Sequence, residues 1–224
     1  MTELPEKSAC KTRLILVDDH PIVRQGIAML VEKESDMEVC GEASSANEAL
    51  TLIKQAEPHV AVVDLSLKDS NGIDLIKDIA VRFPQLRVLV LSMRDEAFFA
   101  ERVLRAGARG YLTKEQAPRK VIEAIRMVMA GEIYVSDKIS ATVIRKFVQG
   151  HAAGAGSLDA LTDRELEIFE MIGGGLPTRE IARRLHISSK TVDSHREHIK
   201  GKLRLASSSD LLKYAIGWVQ HNSM

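Results

Sequence analysis

The chain has 224 residues, enough for one large domain or two small ones. Its 31 basic and 31 acidic residues cancel, and 45% hydrophobic with 28% charged residues is typical of a soluble protein. No apolar run approaches the roughly 18 residues of a membrane span. The charged lead, residues 1–12, is predicted to be disordered and has no apolar signal segment. Two cysteines without metal or redox spacing indicate reduced thiols in a cytoplasmic protein.

Alternating strands and helices are predicted in the first half of the chain. The predicted strands are 13–17, 37–43, 60–63, 88–91 and 111–113. Apolar residues at helical spacing follow each strand, beginning near Pro21, Ser45, Ile73, Phe98 and Val121. Five strands alternating with five helices in about 120 residues require a parallel, doubly wound sheet with right-handed crossovers. The first domain is therefore predicted to be α/β.

Polar side chains follow several of these strands. They are Asp18, Asp19, Asp64, Ser92 and Lys114. Each has a structural explanation by itself, such as a turn cap for Asp64 or a solvated amine for Lys114. Because the carboxyl ends of parallel strands meet at one edge of a sheet, we expect the five side chains to lie together. Three carboxylates there repel one another unless they share a cation, most simply Mg²⁺ with its oxygen ligands.

This set of side chains predicts phosphoryl chemistry. A carboxylate beside a bound Mg²⁺ can attack a phosphoryl group and form an aspartyl phosphate. We expect Asp64 to be the acceptor and Asp18 and Asp19 to hold the metal. Lys114 would pair with the phosphoryl oxygens, and Ser92 would donate a hydrogen bond to one of them.

The same residues, with Tyr111 three before Lys114, resemble the receiver domain of two-component response regulators. The resemblance covers roughly residues 12 to 132 and implies a flavodoxin-like fold. It implies that a partner histidine kinase phosphorylates Asp64, and that Ser92 and Tyr111 move inward together as a switch. It also implies that the backbone carbonyl of Ser66 completes the metal shell.

The pattern changes after the receiver, which is predicted to span residues 13–132. Apolar spacing predicts one more helix over 136–148, and the small, glycine-rich segment 150–157 is typical of an interdomain linker. We therefore expect residues 133–157 to form an extra helix and a linker. The second domain is predicted to span residues 158–224.

Four helices are predicted in this second domain. The first begins at Thr162, with a glutamate three residues later as in a capping box, and ends at Gly173–Gly175. No Gly-Lys-Ser/Thr follows these glycines, so they indicate a helix end and not a phosphate loop. The second helix opens at Thr178, the third follows a short turn, and the fourth covers 209–219. Two helices joined by a tight turn predict a small all-α helix-turn-helix domain.

The charge of this domain is uneven. Between residues 176 and 204, eight basic residues stand against three acidic ones, a net charge of +5. A solvated helix face in a small bundle is one explanation of this charge. The other is a surface that neutralises DNA phosphates and binds DNA in a salt-dependent way.

Motifs favour the second explanation. The segments 161–165 (LTDRE), 180–182 (EIA), 188–195 (SSKTVDSH) and 202–203 (KL) resemble the LuxR-type DNA-binding domain. Joined to a receiver, this domain resembles the NarL/FixJ class of response regulators. The resemblance implies a transcription factor whose third helix, residues 190–203, enters the major groove of DNA.

Nine residues of that helix form the predicted DNA-binding set. Phosphate contacts are expected from Lys190, Thr191, Arg196 and Lys200. Base contacts are expected from Asp193, Ser194 and Glu197, and Val192 and His195 complete the set. His195 also fits a core position in step with the apolar residues of its helix. His198 lies three residues after His195, but the sequence offers this pair no third ligand, so no zinc site is predicted.

The sequence thus predicts a response regulator, not an enzyme, that controls transcription after phosphorylation. Its expected partners are a histidine kinase, double-stranded DNA, a second copy of the phosphorylated chain and RNA polymerase, with no membrane. One alternative is a constitutive DNA-binding regulator whose receiver is only an interaction surface. Another is an aspartate-nucleophile phosphohydrolase, which the adjacent Asp18 and Asp19 disfavour because such enzymes space these acids differently. Masking of the third helix by the unphosphorylated receiver is a further hypothesis.

Overall fold

The computed structural model describes residues 11–67, 70–137, 139–141 and 157–222. The chain divides into two compact units, residues 1–96 with 103–136 and residues 97–102 with 137–224. Most of the predicted lead and linker lies outside the described residues. No helix in the described ranges is long and apolar enough to cross a membrane.

The first unit is built on a five-stranded parallel sheet. Its strands are β1 (Thr12–Val17), β2 (Met37–Ala43), β3 (Val60–Val63), β4 (Arg87–Ser92) and β5 (Gly110–Thr113). The helices between and after them are α1 (Pro21–Val31), α2 (Ala46–Ala56), α3 (Gly72–Arg82), α4 (Glu96–Ala106) and α5 (Ala117–Met129). Residues 97–102 of α4 are grouped with the second unit. The strand order β2-β1-β3-β4-β5 confirms the predicted doubly wound α/β fold.

The register of the central strands brings the polar strand ends together. All four residues of β3 are buried, as expected for a short β-branched strand covered on both faces. Val63 pairs with Val17 of β1 and with Val90 of β4. The next residue, Asp64, donates its backbone N–H to the Val17 carbonyl at 2.8 Å, which places it beside the end of β1.

A short hairpin follows this strand where the sequence predicted only a turn. Residues Ser66–Leu67 pair antiparallel with Ser70–Asn71. The Asn71 side chain then caps α3 by accepting a hydrogen bond from the Ile73 N–H at 2.9 Å. Two-residue strands have no hydrophobic period, so periodicity could not have predicted them.

The second unit is helical. After a 3₁₀ turn at Leu158–Ala160, its helices are α6 (Asp163–Gly173), α7 (Thr178–Arg184), α8 (Ser189–Leu203) and α9 (Ser208–Asn222). Residues 137 and 139–141 are also helical, and they begin the helix predicted over 136–148, whose remaining residues lie outside the described ranges. The last helix runs longer than the predicted range 209–219.

Local signals account for where these helices begin and pack. Thr162 and Glu165 form the predicted capping box, in which each side chain accepts from the other's backbone N–H, at 3.3 and 2.8 Å. Gly173 ends α6, and a side chain there would collide with the Ala215 carbonyl and Val219 of α9. The predicted glycine stop therefore also lets two helices approach closely.

Candidate phosphoacceptor site and DNA-binding helix

The carboxylates predicted at the sheet edge meet around one lysine. Asp18 and Asp64 are 5% and 2% exposed. Lys114 Nζ lies 2.6 Å from Asp18 Oδ2 and 2.8 Å from Asp64 Oδ2. Burial by itself lowers the pKa of Lys114, but the hydrogen bonds to both carboxylates outweigh burial and raise the pKa above its ordinary value. The lysine is therefore a fixed cation at the predicted acceptor carboxylate, Asp64.

Two buried oxygens of this cluster lack full hydrogen bonding. Among the described residues Asp64 Oδ1 has no hydrogen-bond partner, and Asp19 Oδ1 accepts no well-oriented hydrogen bond although His20 Nδ1 lies 2.7 Å away. Ligand atoms of Asp18, Asp19, His20 and Asp64 all lie within 4.8 Å of one another. Unpaired buried carboxylate oxygens are costly unless a cation binds them. The residues present therefore fit a hard divalent ion such as Mg²⁺.

Two neighbours of the cluster were not predicted. His20 Nδ1 lies 2.7 Å from Asp19 Oδ1, and the His20 backbone N–H donates to Asp18 Oδ1 at 2.8 Å. Arg24 of α1 donates to the Asp18 backbone carbonyl at 2.5 Å and pairs with Glu42 at 3.0 Å. The position of His20 directly after the two aspartates could have indicated its role, but nothing local indicates that of Arg24.

The backbone after Asp64 is held close by Gly72. The Gly72 N–H donates to the Leu65 carbonyl at 3.0 Å. A Cβ added at Gly72 would collide with the Asp64 carbonyl and lie 2.6 Å from Leu65 Cα. Ser66 lies in the short hairpin, where its hydroxyl accepts a hydrogen bond from Arg94 Nε at 3.3 Å. The predicted metal-binding role of the Ser66 carbonyl stays a prediction.

The two predicted switch residues are both fully buried and share a neighbour. The Tyr111 hydroxyl donates to the Arg94 carbonyl at 2.7 Å, and the Arg94 N–H donates to Ser92 Oγ at 3.3 Å. Burial raises the pKa of the Tyr111 phenol, so it remains protonated and can donate. Arg94 thus connects Ser92 to Tyr111 through its backbone.

The predicted DNA-binding helix is α8. Ser188 caps it by accepting from the Thr191 N–H at 3.0 Å. Five members of the predicted set are exposed, namely Lys190, Thr191, Asp193, Ser194 and Glu197, and three are partly buried, namely His195, Arg196 and Lys200. Val192 is fully buried, so its inclusion among the DNA contacts is wrong, because a core side chain cannot reach a groove.

Charged members of the set already have partners on the protein. Lys200 Nζ lies 2.9 Å from Glu197 Oε1, one helical turn earlier. Arg196 Nη1 lies 3.5 Å from the Thr178 hydroxyl oxygen. DNA phosphates would have to compete with Glu197 for Lys200, which the sequence alone did not indicate.

Comparison with known proteins identifies both units. Residues 14–126 match the family described as response regulator receiver domain, and residues 159–215 match bacterial regulatory proteins of the luxR family. The chain is a LuxR-family response regulator. This regulator is 35% identical to the oxygen regulatory protein NreC of Staphylococcus carnosus, over 91% of this chain and 96% of that one. NreC of Staphylococcus aureus is 36% identical over the same shares.

Solved structures agree with this assignment. The regulator resembles Salmonella typhimurium RcsB with a TM-score of 0.72 and 27% identity, over 93% of this chain and 98% of that chain. RcsB from Salmonella enterica serovar Typhimurium, bound to the promoter rprA in the presence of the phosphomimetic BeF₃⁻, matches with a TM-score of 0.68 and 27% identity, over 92% and 98%. The predicted family, fold class and function as a two-component, DNA-binding transcription regulator are confirmed.

Proposed function

We propose that Asp64 accepts a phosphoryl group from a histidine kinase and that this modification changes dimerisation and DNA binding of the regulator. The observation that carries the proposal is the state of the Asp64 carboxylate. One of its oxygens is held by Lys114, while the other is buried without a hydrogen bond. The second oxygen is therefore free to form a bond to phosphorus while the bond from phosphorus to the donor nitrogen breaks.

Asp18, Asp19 and Asp64, with the Ser66 carbonyl, would hold Mg²⁺ in this regulator. When bound, the ion would neutralise negative charge on the phosphoryl oxygens. Lys114, which already contacts Asp64, supplies a second positive charge to the same oxygens. Ligand atoms of the three aspartates lie within 4.8 Å of one another, which supports this assignment.

The change at Asp64 needs a two-state element to affect the rest of the protein. We propose that Ser92 and Tyr111 form it. The Ser92 hydroxyl can donate to a phosphoryl oxygen, and its link to Tyr111 through Arg94 couples the two movements. Phosphorylation adds charge and strong acceptors at this point, which favours one arrangement of the pair.

For DNA binding we propose that α8 enters the major groove. Lys190, Thr191, Arg196 and Lys200 would position the helix on phosphates. Asp193, Ser194 and Glu197 would meet base edges, with His195 next to them. RcsB, which resembles this regulator, has been solved bound to promoter DNA and as dimers on DNA. A phosphorylated homodimer on paired half-sites, with RNA polymerase as its promoter partner, follows by analogy and would act in the bacterial cytoplasm.

The first test is the intact mass of the full-length chain after incubation with acetyl phosphate, with and without Mg²⁺. We expect a Mg²⁺-dependent gain of roughly 80 Da that is absent in Asp64→Asn and present in the control Asp74→Asn. Asp74 is a suitable control because its side chain is 65% exposed on α3. A gain that persists in Asp64→Asn would identify another acceptor.

The second test measures DNA binding by fluorescence anisotropy on a duplex selected from a random pool. We expect phosphorylated wild-type protein to bind more tightly than the unphosphorylated form, with affinity falling steeply as salt rises. Asp64→Asn should bind equally with and without acetyl phosphate. Equal binding of both wild-type forms, together with absence of the mass gain, would favour the constitutive regulator.

A further inference from the structure

Glu165, His195 and His198 form a second cluster of metal-ligating side chains, in the second unit. Glu165 lies in the first turn of α6, and the histidines lie three residues apart on α8. A ligand atom of each lies within 4.8 Å of the others. Residues at this spacing share one face of a helix, and the fold brings a carboxylate from another helix to that face. The third ligand that the sequence did not show is therefore present.

The donor atoms of this cluster are available. His195 Nδ1 is buried and has no hydrogen-bond partner among the described residues, an uncommon and costly state for an imidazole nitrogen. Glu165 uses Oε2 for its hydrogen bonds from Thr162 and Lys202, so neither of these bonds occupies Oε1. His198 is exposed, and its ring lies nearly perpendicular to that of His195 with centroids 6.5 Å apart. An ion can enter past His198.

We propose that Glu165, His195 and His198 bind one Zn²⁺ ion. Two imidazoles and a carboxylate are a common ligand set for zinc, with water in the fourth position. Nitrogen ligands favour zinc over Mg²⁺, which prefers oxygen. The sheet-edge cluster instead offers three carboxylates and one imidazole, so the two sites differ in ligand set, and the zinc site does not depend on the function proposed for Asp64.

One cation opposes this binding. Lys202 Nζ lies 2.5 Å from Glu165 Oε2 in a pair that is largely buried on the glutamate side. Zinc would share the Glu165 carboxylate with this ammonium, and repulsion between them weakens the site. Replacing Lys202 with Gln removes the repulsion while keeping a hydrogen-bond donor, so Lys202→Gln should bind zinc more tightly than the wild type.

The consequence of binding is a link between α6 and α8. His195 precedes Arg196 and Glu197, which are both in the predicted DNA-binding set, so the ion would fix the helix turn that carries them. Zinc would thereby raise the melting temperature of the second unit, since a ligand of the folded state alone stabilises that state.

Zinc titration of the full-length chain by isothermal calorimetry, in excess Mg²⁺ to occupy the carboxylate cluster at the sheet edge, tests the proposal. We expect the wild type to bind one more zinc ion than His198→Gln, or to bind at least about 100-fold more tightly, because loss of even an outer-shell partner costs about 10- to 100-fold. His221→Gln on α9, also at an exposed histidine, should bind like the wild type.

Circular dichroism checks that the His198→Gln variant still folds. His198 is exposed, so its replacement should leave the circular dichroism spectrum unchanged. Equal zinc binding by His198→Gln and the wild type would overturn the proposal. So would complete loss of zinc binding in excess Mg²⁺, because the ion would then belong to the carboxylate cluster.

Discussion

Replacing Asp19 with Asn should stabilise the metal-free regulator and weaken its response to Mg²⁺. The Asp19 side chain is only 9% exposed, and the imidazole Nδ1 of His20, 2.7 Å from its Oδ1, offsets its charge only when protonated. Lys114 pairs with Asp18 and Asp64 and not with Asp19. Asp19 thus adds a third negative charge that the lysine does not contact. Removing that charge while keeping the side-chain shape relieves repulsion.

The size of the effect follows from the spacing of the carboxylates. The ligand atoms lie within 4.8 Å of one another, and at that distance two unit charges repel by about 3.5 kcal/mol at an effective dielectric constant of about 20. Attraction to Lys114, the contact of Asp19 with His20, solvent screening and the poorly paired amide of Asn offset part of this. We therefore expect Asp19→Asn to raise the free energy of unfolding by about 1–2 kcal/mol in EDTA.

Mg²⁺ should reverse the order of stability of the wild type and Asp19→Asn. An ion at 100 times its dissociation constant stabilises the folded wild type by about 2.7 kcal/mol. Asp19→Asn lacks one ligand and should gain less, so excess Mg²⁺ should bring the wild type level with the variant or above it. Asp19→Asn is therefore expected to stabilise the metal-free protein and to reduce the stabilisation that Mg²⁺ provides.

Urea unfolding followed by far-UV circular dichroism, in EDTA and in excess Mg²⁺, measures both effects. Trp218 is the one tryptophan of the chain and lies in the second unit, so its fluorescence separates that unit's transition from that of the first. The exposed control Asp74→Asn should change stability by less than about 0.5 kcal/mol. A variant less stable than the wild type in EDTA, or equally stabilised by Mg²⁺, would refute this reasoning.

Three further changes test individual residues. Lys114→Met should lower the free energy of unfolding by about 3–5 kcal/mol, because it leaves two buried carboxylates without their cation. Gly72→Ala should lower the free energy of unfolding by about 1–3 kcal/mol and slow labelling by acetyl phosphate, since the added Cβ collides with the backbone at Asp64. Val192→Ala should lower the free energy of unfolding by about 2 kcal/mol and leave the salt dependence of DNA binding unchanged, as expected for a core residue.

Glu165 adds a pH prediction. Burial by itself raises the pKa of Glu165, but hydrogen bonds from Lys202 and Thr162 outweigh burial and lower it below its ordinary value of 4.5. Its stabilising contribution is thus present above pH 4.5 and lost as pH falls through the lower folded-state pKa. Acid unfolding of Glu165→Gln, followed by Trp218 fluorescence, should show a smaller loss of stability across that window than the wild type.

The central strands β1, β3 and β4 were predictable because they are short, apolar and largely buried. The predicted ranges of β2 and β3 match the observed bounds, Met37–Ala43 and Val60–Val63. Helix α4 was predicted to begin at Phe98 and begins at Glu96, because the polar first turn of a helix has no apolar stripe to mark it. The hairpin that begins at Ser66–Leu67 was not predicted, because strands of two residues are too short to show a hydrophobic period.

The sheet edge was predictable because parallel strands all end at one edge, so residues far apart in sequence had to meet there. The orientation of individual side chains was not. Tyr111 could have been a half-buried strand residue, and only its hydrogen bond to Arg94 shows that its ring points fully into the unit. The meeting of Glu165 with His195 depends on how two helices cross, which no local pattern specifies.

The charges at the sheet edge give a physical reason for the proposed phosphorylation to depend on a cation. Asp18, Asp19 and Asp64 with Lys114 sum to −2, counting His20 as neutral. A phosphoryl donor is itself anionic and would approach this net negative charge. One bound divalent ion brings the sum to zero, and the phosphoryl group then adds about one further negative charge next to Lys114. We therefore expect Asp19, whose charge Lys114 does not contact, both to destabilise the metal-free fold and to make the proposed phosphorylation of Asp64 depend on a metal ion.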